Sequence, residues 1–214
     1  MNGNRVLILI GLSLTLGAGN LPLGSWGRHL VPGGMLIGSE ILWWVAVLVC
    51  PLYVVFVEKR PLASIGLRWP NWLDLVSAIP AGIGMVIGII LIFAIAFPLL
   101  HLHMNSDVMN RLLAKPFWFR TLLVTRAAVA EEMLFRGYPI ERLKEWTGNG
   151  LLAAAISLAA FTIAHLPSWG WSHLLVAGFG GVILTALYLW RRNLWANMLA
   201  HWIADAAGFL VPHG

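Results

Sequence analysis

The chain has 214 residues, 59% of them hydrophobic and only 11% charged, where an ordinary soluble domain carries about 25% charged residues. A net charge of +5 would suggest nucleic acid in a soluble protein, but the Lys and Arg residues lie mostly between apolar segments, where anionic lipid headgroups are their natural neighbours. Composition therefore excludes a soluble domain and a nucleic-acid partner, and the single cysteine, Cys50, excludes an intrachain disulfide.

Residues 78–100 contain no charge over 23 positions, more than the ~20 a helix needs to cross the hydrocarbon layer. A transmembrane barrel would instead show alternating segments of about ten residues. The sequence thus predicts an all-α, polytopic transmembrane helical bundle of about seven spans, forming one domain over residues 1–214.

The first span, 5–23, has the basic, apolar and small-residue order of a signal peptide, ending in Gly17-Ala18-Gly19, although a multi-span protein needs no separate signal. The second and third cover 41–57 and 75–99. The long connection 101–118 is mixed in character and is expected to form an amphipathic or re-entrant segment. Four further spans follow at 119–138, 150–166, 173–190 and 194–211. Trp26, Trp69, Trp72, Trp118, Trp146, Trp169, Trp171, Trp190 and Trp195 fall at or near the boundaries, the pattern of an interfacial aromatic belt that anchors rather than binds ligand.

The N-terminus and even-numbered loops hold eight basic residues, Arg5, Lys59, Arg60, Arg68, Arg142, Lys144, Arg191 and Arg192, against Arg28, Arg111, Lys115 and Arg120 on the other side. The positive-inside rule then puts the N-terminus in the cytoplasm and the C-terminus outside. The expected location is the plasma (inner) membrane of a prokaryote.

Charge within lipid is costly, roughly 2.5 to 3.5 kcal/mol for a central Asp, Lys or Arg. Glu131, Glu132 and Asp205 are the acidic residues well inside predicted spans, and His165 and His201 the histidines that belong to spans. Glu132 and Arg136 are four apart, share a helical face and stand in the favourable acid-before-base order, a structural pair. Glu131 is about 100° further round the helix and points elsewhere. Ala127, Ala128 and Ala130 upstream would let a neighbouring helix approach closely. Arg126 is expected to reach a headgroup by snorkelling. His201 and Asp205 form a second four-residue pair, and His165 lies four residues after Phe161.

Convergence of Glu131, His165, His201 and Asp205 would surround one cavity with a carboxylate base, two imidazoles and a second carboxylate. A carboxylate in a partly dry pocket takes a proton from water near neutral pH. His165 would hold the same water or share its proton, and His201 would donate to the oxyanion of a tetrahedral intermediate. A metal site is the chemical alternative, since Glu, His and Asp are all ligand types. The chain lacks His-Glu-x-x-His, the zincin arrangement, so neither a metal nor another cofactor is expected. Cys50, Ser13, Ser77 and Ser157 have no nucleophile motif around them.

Glu131-Glu132-Met133-Leu134-Phe135-Arg136 resembles the Glu-Glu-x-x-x-Arg motif of the CAAX protease and bacteriocin-processing (Abi) family of intramembrane glutamate proteases. Phe161 to His165 is similar to that family's Phe-x-x-x-His, and His201 to Asp205 to its third motif, a His followed four residues later by Asn or a similar residue. The three occur in order on apolar helices, and the resemblance covers residues 120–210. It implies Glu131 as general base, His165 orienting the water, and His201 with Asp205 on the oxyanion side, with Glu132, Arg136 and Phe161 in support. The departure is Asp205, where the prenyl-protein branch typically carries Asn. An ionised Asp cannot donate to an oxyanion, so Asp205 is expected to orient His201 and favour its protonated form.

The resemblance implies an intramembrane endopeptidase, acting without metal on a membrane-associated protein or peptide of which a prenylated CAAX type is one candidate. The competing readings are a non-catalytic scaffold or immunity protein of the same fold, and a transporter that uses buried carboxylates as a proton relay. Pro80, Gly82, Gly84, Gly180 and Gly181 keep the last in play.

Overall fold

The computed structural model describes residues 3–20 and 35–211, and all the regular structure among them is helical. Trp26, Arg28, His29 and His213 lie outside the described residues. In chain order the helices are α1 (Gly3–Asn20), α2 (Met35–Leu52), α3 (Trp72–Leu91), α4 (Ser106–Leu113), α5 (Phe117–Glu131), α6 (Tyr138–Thr147), α7 (Gly150–Ala164), the short α8 (Leu166–Trp169), α9 (His173–Arg191) and α10 (Leu194–Phe209). Wider π-helical turns extend α2 over Tyr53–Val57 and α3 over Ile92–Ala96, and join α5 to α6 over Glu132–Gly137.

Each predicted span falls on a helix. Four stretches are long and apolar enough to cross a membrane by length and composition alone: Glu40–Val57, Trp72–Leu99, Gly150–Trp169 and His173–Arg191. This is an integral membrane protein, with about seven spans as an approximate count. On α2 the exposed residues Ile41, Val45, Leu48, Leu52 and Phe56 recur at three- and four-residue steps, one apolar stripe that suits lipid and would be an aggregation hazard in water. Within 101–116 only α4 is regular: Val108, Met109, Leu112 and Leu113 are half-buried while Asp107, Asn110 and Arg111 are exposed. It is an amphipathic helix.

The chain divides into two compact units, Met1–Arg68 with Val129–Ser157, and Trp69–Ala128 with Leu158–Gly214. In the first, α1 packs on α6 and on the π turn before it. Gly11 makes this approach possible, since a Cβ there would overlap the Tyr138 hydroxyl. The Tyr53 hydroxyl donates to the Leu7 carbonyl at 2.7 Å.

A charged cluster closes the cap of this unit. Glu58 accepts from the Tyr138 hydroxyl at 2.7 Å and from Arg142 at 2.9 Å (Nε) and 2.6 Å (Nη2). Arg142 also donates to Glu145 at 3.0 Å and to the Ser64 hydroxyl at 2.9 Å, and Arg60 reaches Glu145 at 2.7 Å. Side-chain exposure is 0% for Arg142 and 2% for Glu58. Arg142, one of the basic residues between apolar segments, has as its partner a carboxylate brought by the loop after α2. Burial by itself would lower the Arg142 pKa, but the bond to Glu58 and its charge outweigh it and leave the pKa raised.

In the second unit α3 packs against α10 and α9. Ala78, Met85, Leu184, Leu187, Ala196, Ala200 and Ala204 form its buried cluster. The small residues let backbones come close, as membrane bundles require. The start of α3 is fixed by a capping box in which Asn71 Oδ1 accepts from the Asp74 amide and Asp74 Oδ2 from the Asn71 amide, each at 2.9 Å. Asp74 is fully buried and also meets Arg191 at 2.8 Å and the Asn193 amide group at 2.9 Å.

Candidate active site

The glutamate motif lies where α5 gives way to its π turn. Glu132 Oε1 meets Arg136 Nη1 at 3.0 Å, with side-chain exposures of 0% and 1%, so the predicted four-residue pair is present and buried. Glu131, the last residue of α5, is half-buried. Arg136 lies in the electrostatic field of both glutamates. The π turn is a physical reason. Closing by i→i+5 bonds, as the Tyr138 amide does to the Met133 carbonyl, winds through a smaller angle per residue than an α-turn and brings position 136 back toward the side of 131. The strict division expected between a structural Glu132 and an outward Glu131 is thereby softened.

Pro139 helps to explain the turn. It has no N–H to return to the Phe135 carbonyl four residues earlier. The Ser157 hydroxyl, on α7, donates to that carbonyl instead. Ser157, which carries no nucleophile motif, thus has a buried structural task.

The Phe-x-x-x-His motif forms the end of α7. The His165 amide turns to the Thr162 carbonyl at 3.3 Å, releasing the Phe161 carbonyl, which His165 Nδ1 meets at 2.9 Å. A carbonyl can only accept, so Nδ1 carries a proton, as it does in the Nδ1–H tautomer and in the imidazolium alike. Phe161 also sets its ring edge-on to the imidazole, centroids 4.7 Å apart. The motif spacing thus sets the ring's orientation and puts a proton on Nδ1.

On α10, His201 is buried and its Nε2 lies 3.6 Å from Asp205 Oδ2. That is an electrostatic contact, too long for a good hydrogen bond. An imidazolium has two N–H donors, so His201 can keep one toward Asp205 and offer the other. The helix is held by Trp202 Nε1, which donates to the Thr125 hydroxyl at 3.2 Å, and by Arg120, which donates to the Phe209 carbonyl at 2.7 Å.

Both histidine motifs belong to the second unit, where a row of rings ties them together. Phe209, four residues beyond Asp205, meets Trp169 at 6.3 Å; Trp169 stacks on His173 at 4.8 Å; His173 stacks on His165 at 5.6 Å. Sequence reasoning missed this. It gave Trp169 to the aromatic belt, and although Trp69, Trp72, Trp118, Trp171, Trp190 and Trp195 are exposed, Trp169 is not. The available signal was the four-residue spacing of Phe161, His165, Trp169 and His173. Among the described residues, neither unit gathers three His, Cys, Asp or Glu side chains into a group that could hold a metal ion.

Residues 113–207 match the family described as type II CAAX prenyl endopeptidase Rce1-like, a range that contains all three motifs and bears out the resemblance read from them. "Uncharacterized protein YpbD" of Bacillus subtilis (strain 168) is 32% identical over 110 residues, which are 50% of this chain and 52% of that protein. The chain thus spans about half the length of the curated relative it matches. No solved structure matches it.

Proposed function

We propose that this chain, whose residues 113–207 match the Rce1-like type II CAAX prenyl endopeptidase family, is an intramembrane, glutamate-dependent endopeptidase acting without metal. Its substrate is a membrane-associated protein or peptide, with a prenylated CAAX-type C-terminus as the form to test first. Glu131 takes a proton from water as the oxygen attacks the scissile carbonyl carbon. His165, in its neutral Nδ1–H form, accepts a hydrogen bond from the water through Nε2. His201 donates to the oxyanion, and Asp205 orients it. Collapse of the tetrahedral intermediate breaks the C–N bond, and the proton held by Glu131 passes to the leaving amine.

The observation that carries this reading is the Nδ1 bond of His165 to the Phe161 carbonyl at 2.9 Å, which gives the second motif a chemical purpose. The test is turnover of a farnesylated CAAX peptide by the purified full chain in proteoliposomes, with and without chelator. Cleavage is expected to survive the chelator and to fall by about 10² to 10⁴ in Glu131→Gln, the range a general base contributes. Unchanged turnover in that variant would overturn the proposal, and loss with chelator would overturn its metal-free form.

A further inference from the structure

Phe161, His165, Trp169 and His173 follow at four-residue steps, yet the backbone that carries them is interrupted. The run breaks at Gly170, whose φ of +81° lies in the left-handed region glycine favours, before α9 resumes at His173. Despite that break His173 regains the stack, its ring within 25° of parallel to His165 and 19° of parallel to Trp169. The final torsion of a histidine side chain is broad, so a ring free to twist out of its plane would carry Nδ1 out of line with the Phe161 carbonyl and weaken that bond. Something must hold the plane.

We infer that His173 is a positioning residue: its ring, backed by Trp169, holds the His165 imidazole in the plane from which Nδ1 donates to Phe161. The buried Nδ1 of His173 has no hydrogen-bond partner, and it is the face of the ring that meets His165. The ring itself is the working part. The role in turnover rests on the function proposed above, whereas the effect on the orientation of His165 does not.

The experiment uses the full chain with ¹⁵N-labelled histidine in nanodiscs, the His165 resonances being assigned by loss in His165→Gln. Wild type is expected to show His165 as the neutral Nδ1–H tautomer. His173→Phe keeps a ring and should keep both that tautomer and turnover of the farnesylated peptide within about threefold. His173→Ala removes it and should mix the tautomers and lower kcat about tenfold with KM unchanged, the scale of one lost ring contact. His173→Leu, which retains volume without a ring, should behave as Ala and serves if Ala fails to fold. Two results would overturn the inference: an unchanged His165 tautomer in the Ala and Leu variants, or a Phe variant as impaired as they are. If wild type cleaves nothing, the proposed function fails while the ¹⁵N measurement still decides the role of His173.

Discussion

At the residue scale the informative pair is His201 with Asp205, Nε2 to Oδ2 at 3.6 Å. That distance is too long for a good hydrogen bond, so the carboxylate acts on the imidazole through its charge. Asn in its place would lose the charge but keep a polar group of the same size, and it could itself donate to an oxyanion. Asp205→Asn is therefore expected to retain kcat/KM within about tenfold, whereas Asp205→Ala should lose about a hundredfold, near the lower end of a proton-transfer contribution. Steady-state kinetics on the farnesylated peptide decide it, and equal tolerance of both substitutions removes Asp205 from the mechanism. Much at this scale was legible in the sequence, because a spacing of four on an α-helix fixes a shared face for Glu132 with Arg136 and for His201 with Asp205. The field of Glu131 at Arg136 was not. It depends on the π turn, and the turn depends on Pro139 and on a hydroxyl from Ser157, 22 residues from the carbonyl it caps.

Among the elements, α3 against α10 shows how small residues govern packing. A Cβ on Gly82 would lie 2.8 Å from Ile203 Cβ and 2.9 Å from the Ala200 carbonyl oxygen, and that backbone atom cannot move aside cheaply. At Gly84 nothing lies within 4 Å. Gly82→Ala should therefore cost about 1–3 kcal/mol through overpacking, offset in part by Ala's better helix propensity of about 1 kcal/mol. Gly84→Ala should be neutral or slightly stabilising for the same propensity reason. Thermal unfolding in detergent compares the two, and equal melting temperatures would refute the packing argument. The Glu58–Arg142 cluster makes a harsher prediction. Glu58→Gln leaves the buried Arg142 guanidinium with the exposed Glu145 as its only carboxylate partner, and breaking a buried pair from one side costs about 3–5 kcal/mol, so this variant should melt well below wild type although it lies outside every catalytic motif. The sequence could not show this pair, because Glu58 and Arg142 are 84 residues apart and both looked like ordinary loop charges.

For the whole molecule, the question is whether the basic loops still orient the chain once their charges have found partners. Arg60 pairs with Glu145, Arg142 with Glu58 and Arg191 with Asp74, so several of the eight residues counted for the cytoplasmic side are neutralised in the folded protein. The helices were legible because long apolar runs need no tertiary information, whereas these pairings are tertiary and left no sequence signal. Neutralisation does not weaken the orientation argument. The positive-inside bias counts Lys and Arg near span ends during insertion, before such pairs form, and acidic residues contribute little to it. Two exposed positions within one compact unit test it, Trp69 in a loop assigned to the cytoplasm and Ala114 in the loop assigned to the outside. In a Cys50→Ala background, Trp69→Cys should resist a membrane-impermeant thiol reagent in intact cells and react only after permeabilisation. Ala114→Cys should react in both. The opposite labelling pattern would reverse the orientation, and identical labelling of the two positions would show that the span count between them is even.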